Sequence, residues 1–260
     1  MTSLADQTIA ALRRLHDELG ESVPTLTQAQ LTGPSGASEW TVAQVLSHLG
    51  SGSEIALASY HSALEGTPTP EPEFNQSVWD RWNAMSPEDQ ASNFLESDAK
   101  LVAILEALTP DQRENLQIKL GFLPQPLGIA TIAGMRLNEV ALHSWDVRVA
   151  VDPTATLSEG TAEVLAEQFS GSLNFLLGFI GKADVLPHAT IVDAHGFGLV
   201  IDDTVSLTPT ANDATATFEG PLEALVRLIG GRLRETATPD TVSVVGDVSL
   251  DDLRRVFPGF

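Results

Sequence analysis

Apolar residues at Leu4, Ile9, Leu12, Leu15 and Leu19 recur near a period of 3.6 and predict a helix over 4–19, with Gly20 as its stop. A Pro- and Gly-containing connection, VPTLTQAQLTGPSGASEW, leads to Thr41 and Gln44, a T-x-x-Q capping-box pattern. That pattern opens a helix over 42–64, closed by Gly66, with His48 in its second turn between Val45, Leu49 and Gly52. The Pro-rich GTPTPEPEF is a loop, and 75–85 is a short segment carrying Trp79 and Trp82. Ser86-Pro87-Glu88-Asp89 supplies a capping serine, proline at the first helical position and acids in the first turn. The helix it starts is predicted to run to about residue 108, before Pro110. FLPQPLG is a two-proline loop; from Leu127 the pattern is helical again to Ala150, and VDPT breaks it. Ser158 opens one further long helix, to Phe179.

The pattern changes near Ala189. TIVDAHG, FGLVIDD, TVSLTP and ATATFEG read as short strands separated by turn residues. An amphipathic helix follows in PLEALVRLIGGR, then a strand, TVSVVGD, and a last helix, LDDLRRVF. The expected architecture is α plus α+β: a helical bundle over 1–182 and a small α+β domain over 183–260, joined around GKADVLP.

Composition narrows the function. With 35 acidic residues against 14 basic, the chain carries a formal charge of −21, which repels nucleic acid and anionic membranes. Anionic substrates are disfavoured too, unless an arginine recruits them. No apolar run is long enough to span a bilayer, and the start lacks the basic-then-apolar pattern of a signal peptide. A cytoplasmic protein, monomer or homodimer, is expected. The chain has no cysteine, so disulfides, thiolate metal sites and a protein thiol nucleophile are excluded. Any thiol chemistry must use an external sulfur.

The stretch RLNEVALHSWDV, 136–147, places Glu139 and His143 four residues apart, one above the other on a helix face. A carboxylate and an imidazole so placed can grip a divalent metal if a third ligand comes from elsewhere, and His48 is the candidate. Three N/O ligands leave one position open, the pattern of a catalytic rather than a structural site, and zinc suits the set. Spacing alone equally allows a core histidine satisfied by local hydrogen bonds. Asp146 is placed either to orient an imidazole or to pair with Arg148. Trp145 points away from the Glu139/His143 face. Gln44 and Ser51 lie on turns adjacent to His48, although capping alone accounts for Gln44. His61, thirteen residues past His48, is about 20 Å along the axis and too far to share its metal. His16, His188 and His195 are read as surface or core residues, and Gly230 and Gly231 as a helix stop rather than a phosphate loop.

W-T-V-A-Q-V-L-S-H-L around His48, together with E-x3-H-x-W-D at 139–146, resembles the mycothiol-dependent maleylpyruvate isomerase family. The resemblance implies a DinB-like four-helix bundle followed by a sterol-carrier-like α+β domain, and covers nearly the whole chain. It implies that His48, Glu139 and His143 bind a divalent metal, usually zinc. Mycothiol is the implied thiol cosubstrate, adding to an activated double bond of a small-molecule substrate. It also implies a functional arginine in the C-terminal domain; Arg232 matches best and Arg227 second, although both are also suited to the end of a helix dipole. The implied activity is that of a thiol-dependent cis–trans isomerase or thiol S-transferase. The alternative is a metal- or small-ligand-binding module without turnover.

Overall fold

The structure, a computed structural model, describes residues 2–121 and 123–259. Phe122, the first residue of the expected FLPQPLG loop, lies outside the described residues. The chain divides into two compact units, Met1–Pro153 and Thr154–Phe260. The junction therefore falls at the VDPT break and not at the 182/183 boundary expected from the change in character. Packing is the reason: the helical stretch after Ser158 makes its contacts with elements of the second unit.

In the first unit the long helices are α1 (Leu4–Ser22), α3 (Val42–Glu65), α5 (Pro87–Ala107) and α7 (Ile129–Val149). Each packs on two others, α1 and α3 both contacting α5 and α7, which makes a four-helix bundle. Its core includes Leu12, Leu15 and Leu19 of α1, Val45, Leu46 and Leu49 of α3, Phe94 and Leu101 of α5, and Leu137 and Val140 of α7. The caps form as the sequence predicts. Thr41 Oγ1 accepts from Gln44 N at 3.2 Å and Gln44 Oε1 accepts from Thr41 N at 2.8 Å, while Ser86 Oγ accepts from Asp89 N at 3.1 Å. Shorter pieces fill the connections: α2 (Gln28–Leu31), α4 (Pro72–Asn83), α6 (Pro110–Asn115), and a two-residue antiparallel ladder of β1 (Gln117–Ile118) with β2 (Leu127–Gly128). Helix α4 lies against α3 through Trp82, whose ring sits where a Gly50 side chain would be: a Cβ there would come within 2.2 Å of it.

In the second unit the strands β3 (Thr190–Ala194), β4 (Phe197–Ile201), β5 (Val205–Thr208), β6 (Ala216–Glu219) and β7 (Ser243–Gly246) form one sheet in the order β5-β4-β3-β6-β7. The β3–β6 pair is parallel and the others are antiparallel. The single helix expected from Ser158 is two, α8 (Glu159–Phe169) and α9 (Asn174–Ile180), broken at S-G-S-L. Ser and Gly there favour a turn over continuation, and Asn174 Nδ2 instead donates to Leu207 O at 2.5 Å, anchoring the start of α9 on β5. Helix α8 buries Ala162, Leu165 and Phe169 and packs on α10 (Leu222–Ile229); α11 (Leu250–Val256) closes the unit. Within α10, Arg227 is buried and donates Nε and Nη2 to the two carboxylate oxygens of Glu223, at 2.7 and 2.9 Å.

Candidate metal centre

Two helices of the bundle bring the three expected ligands together. His48 lies on the second turn of α3, and Glu139 and His143 stand four residues apart on α7. One ligand atom from each lies within 4.8 Å of the others. His48 Nε2 is 3.0 Å and His143 Nε2 3.7 Å from the same oxygen, Glu139 Oε2. The two imidazoles meet edge to face, with centroids 4.9 Å apart.

Asp146 fixes which nitrogen of His143 is presented. It is fully buried, and its Oδ2 is 2.8 Å from His143 Nδ1. A carboxylate accepts only, so Nδ1 carries the proton and Nε2 is the atom turned toward Glu139. Two imidazole nitrogens and a carboxylate oxygen thus converge within 4.8 Å, a donor set that fits a divalent metal. Burial pushes the Glu139 carboxyl up, but the hydrogen bond from His48 and the charges of His143, His48 and Arg136 outweigh it and hold the group at about 2. Glu139 is thus an anion at neutral pH, as a metal ligand must be.

Trp40 completes the centre. It precedes the Thr41 cap and lies over both imidazoles, stacked on His143 at 5.9 Å and 22° and tilted against His48 at 5.1 Å. The loop that carries it is tied down by Gly36 N, which donates to Asp146 O at 2.8 Å. Only glycine allows this approach, because a Cβ on Gly36 would come within 2.8 Å of Asp146 Cα. Asp146 therefore orients an imidazole with its side chain and anchors the Trp40 loop with its backbone. Trp40 was not among the expected site residues; the local signal was only a tryptophan just before a helix cap.

Below the ligands, Arg136 Nη2 donates to Leu49 O at 3.0 Å, Ser53 Oγ at 2.5 Å and Asp98 Oδ1 at 2.8 Å. Asp98 is buried, and its other oxygen is 2.9 Å from His16 Nδ1. This carboxylate joins α1, α3, α5 and α7. Burial raises the Asp98 carboxyl, but the hydrogen bonds and charges of His16 and Arg136 hold it below its ordinary value. The network, like Trp40, is absent from the sequence expectations.

Two cavities meet at His48. A polar one of about 390 Å³ is lined by Trp40, Gln44, Ser51, Trp79, Asn83 and Gln90. An apolar one of about 190 Å³ runs between α3, α5 and α7.

The remaining expectations resolve one by one. Trp145 is buried. Gln44 caps α3 and also lines the polar cavity. Ser51 Oγ donates to His48 O at 3.0 Å. His61 pairs only loosely with Glu65, at 3.7 Å, and His195 sits in the β3–β4 turn. Arg227, the second choice for a substrate contact, is committed to Glu223 and to Ala237 O, at 2.7 Å. Arg232 follows α10 in the second unit, with Nη1 donating to Gly230 O at 2.6 Å. No helix among the described residues is long and apolar enough to cross a membrane.

Comparison with known proteins agrees with this layout. Two crystal structures, titled as the mycothiol-dependent maleylpyruvate isomerase and a histidine-to-alanine mutant of it, match with a TM-score of 0.65 at 16% identity. Each match covers 95% of this chain and 98% of the other. At that identity the likeness is one of fold, an N-terminal helical bundle with a C-terminal α+β domain. No curated protein matches the chain. The family model described as the mycothiol maleylpyruvate isomerase N-terminal domain matches residues 12–148, more than half of the chain, a range that contains His48, Glu139 and His143. The chain therefore belongs to the mycothiol maleylpyruvate isomerase N-terminal domain family.

Proposed function

We propose that the protein is a divalent-metal- and mycothiol-dependent enzyme that adds an external thiol to an activated double bond, as a cis–trans isomerase or an S-transferase. The convergence of His48, Glu139 and His143 from two helices, in a chain of this family, carries the reading. Zinc is the metal that the two imidazoles and one carboxylate suit best. A metal held there supplies Lewis acidity, which favours the thiolate form of a thiol at neutral pH.

The chain's own residues do the rest. Asp146 holds the His143 proton on Nδ1, so that Nε2 faces the ligand set. Trp40 covers both imidazoles and excludes water from one side. Gln44, Asn83 and Gln90 offer amides in the polar cavity, where the sugar portion of mycothiol would be seated. Arg232 is the cation assigned to a carboxylate of the substrate, because Arg227 is buried and engaged with Glu223 and Ala237 O. The sulfur comes from outside because the chain has no cysteine. Addition followed by bond rotation and expulsion of the thiol gives an isomerase; retention of the C–S bond gives a transferase.

The test is metal content of the purified chain with and without His143→Ala, paired with mycothiol titration of metal-loaded and metal-free protein. One zinc per chain, lost in the variant, and saturable mycothiol binding only when metal is present are expected. Equal mycothiol binding to both forms refutes the thiol role. Metal without any turnover of activated alkenes makes the protein a binding module.

A further inference from the structure

Two buried polar atoms that find no hydrogen-bond partner among the described residues belong to side chains lining the apolar cavity: the Tyr60 hydroxyl and Arg136 Nε. Tyr60 lies on the face of α3 that also carries His48, Gly52 and Ala56, and is 2% exposed. A helical side chain leans toward the N-terminus, so Tyr60 points back toward the turn of Ser53. Arg136 reaches that turn from α7, where its Nη2 is committed to Leu49 O, Ser53 Oγ and Asp98 Oδ1. Gly52 leaves room for the guanidinium, since a Cβ there would come within 3.2 Å of Nη1. The Nε proton is left over.

Neither atom suits a dry apolar wall. Arginine Nε can only donate. Burial pushes the Tyr60 phenol well above its ordinary pKa, and the charge of Arg136 opposes this only in part, so the hydroxyl keeps its proton and donates too. A buried donor without an acceptor is destabilising, the more so on a charged group. Two such donors in one cavity call for an acceptor from outside, and a carboxylate, which only accepts, answers both. Leu101 and Leu105 of α5 and Ile132 of α7 give the rest of the wall an aliphatic surface for the carbon chain behind it. At about 190 Å³ the cavity exceeds the engineered one of about 150 Å³ that binds benzene in another protein. Glu139 and Asp98 set two negative charges against the one guanidinium, so an anion is held tightly only once a divalent cation sits on the triad.

We propose that Arg136 Nε and the Tyr60 hydroxyl form a carboxylate seat inside the bundle, which positions the acceptor by one carboxylate with its carbon chain running to the His48/Glu139 end. Calling that carboxylate the acceptor's rests on the thiol-addition reading; the seat itself does not. Arg232, in the second unit, keeps its assignment to a carboxylate that stays outside the bundle.

The probes are hexanoate and 1-hexanol, titrated calorimetrically into the whole zinc-loaded chain without thiol. Hexanoate is expected to bind roughly tenfold or more tighter than the alcohol, and Tyr60→Phe to remove about that much of its affinity, the worth of a hydrogen bond to a charged group. The same variant should leave 1-hexanol binding and zinc content little changed and the melting temperature no lower, because the hydroxyl it deletes has no partner in the free protein. Tyr60 is the sole tyrosine of the chain, so biosynthetic 3-fluorotyrosine gives one fluorine resonance that reports on the seat. That resonance should shift saturably with hexanoate, in step with the calorimetry. Hexanoate that binds no better than the alcohol, that binds Tyr60→Phe as tightly as the unaltered chain because it sits on the metal alone, or that saturates without moving the resonance overturns the proposal. If Tyr60→Phe fails to fold by circular dichroism, the fluorine titration decides. Zinc content and mycothiol titration on the same samples judge the thiol reading separately, and the loss in Tyr60→Phe upholds the seat even where those two fail.

Discussion

Asp146→Asn isolates the group that sets the His143 tautomer. The substitution keeps shape and backbone, so the Gly36 N to Asp146 O bond that anchors the Trp40 loop remains. It removes a charge from a fully buried position 2.8 Å from His143 Nδ1. Hydrogen bonds to charged groups are worth about 1.5–3 kcal/mol in such surroundings. Asn can also turn its amide so that N–H faces Nδ1, which forces the proton to Nε2 and blocks the atom aimed at Glu139. Loss of such an orienting carboxylate lowers metal affinity by about 10- to 100-fold, or roughly 1.4–2.7 kcal/mol, in line with the hydrogen-bond figure. Competition with a chromophoric zinc chelator near neutral pH measures it, and circular dichroism checks that the bundle is intact. A folded variant whose zinc affinity changes by less than twofold would refute the orienting role.

Three further outcomes are expected. Trp40→Ala removes two ring contacts worth about 0.5–1.5 kcal/mol each; zinc affinity should drop by at least a few-fold in the same competition assay, and no change would confine Trp40 to the surface. Asp98→Asn leaves Arg136 short of its buried counter-charge and should cost about 3 kcal/mol in urea unfolding. Because the folded Asp98 carboxyl titrates below 3.8, that contribution is complete above pH 4 and is lost as pH falls through the folded value, so the gap between wild type and variant should close in acid; a gap that widens in acid contradicts the assignment. Arg232→Ala should lower turnover of a carboxylated alkene at least tenfold with zinc retained, and unchanged turnover sends the search for the cation elsewhere.

Local chemistry made much of this legible in the sequence. Capping residues at Thr41, Gln44 and Ser86 located the starts of α3 and α5, and alternating strands with their turns located the sheet. The i,i+4 spacing put Glu139 and His143 on one face and left His48 as a candidate third ligand, but the family resemblance was needed to strengthen that choice, since nothing local links residues 91 apart. The same distance hid Arg136, whose partners lie on α3 and α5, and Trp40, whose loop is placed by Asp146. The unit boundary was missed because it is set by which core α8 joins, and helical periodicity says only that α8 has an apolar face.

The Asp98 hub has a consequence for how a metal would be gained and lost. It locks α3 to α7 within a turn of His48 and Glu139, so the relative placement of the ligand-bearing helices is settled by folding itself. The conformational entropy that a small zinc domain surrenders on binding is here surrendered beforehand. The chain should therefore behave as a rigid receptor: stripping it with a chelator should leave the melting transition cooperative, and zinc should return without a refolding phase.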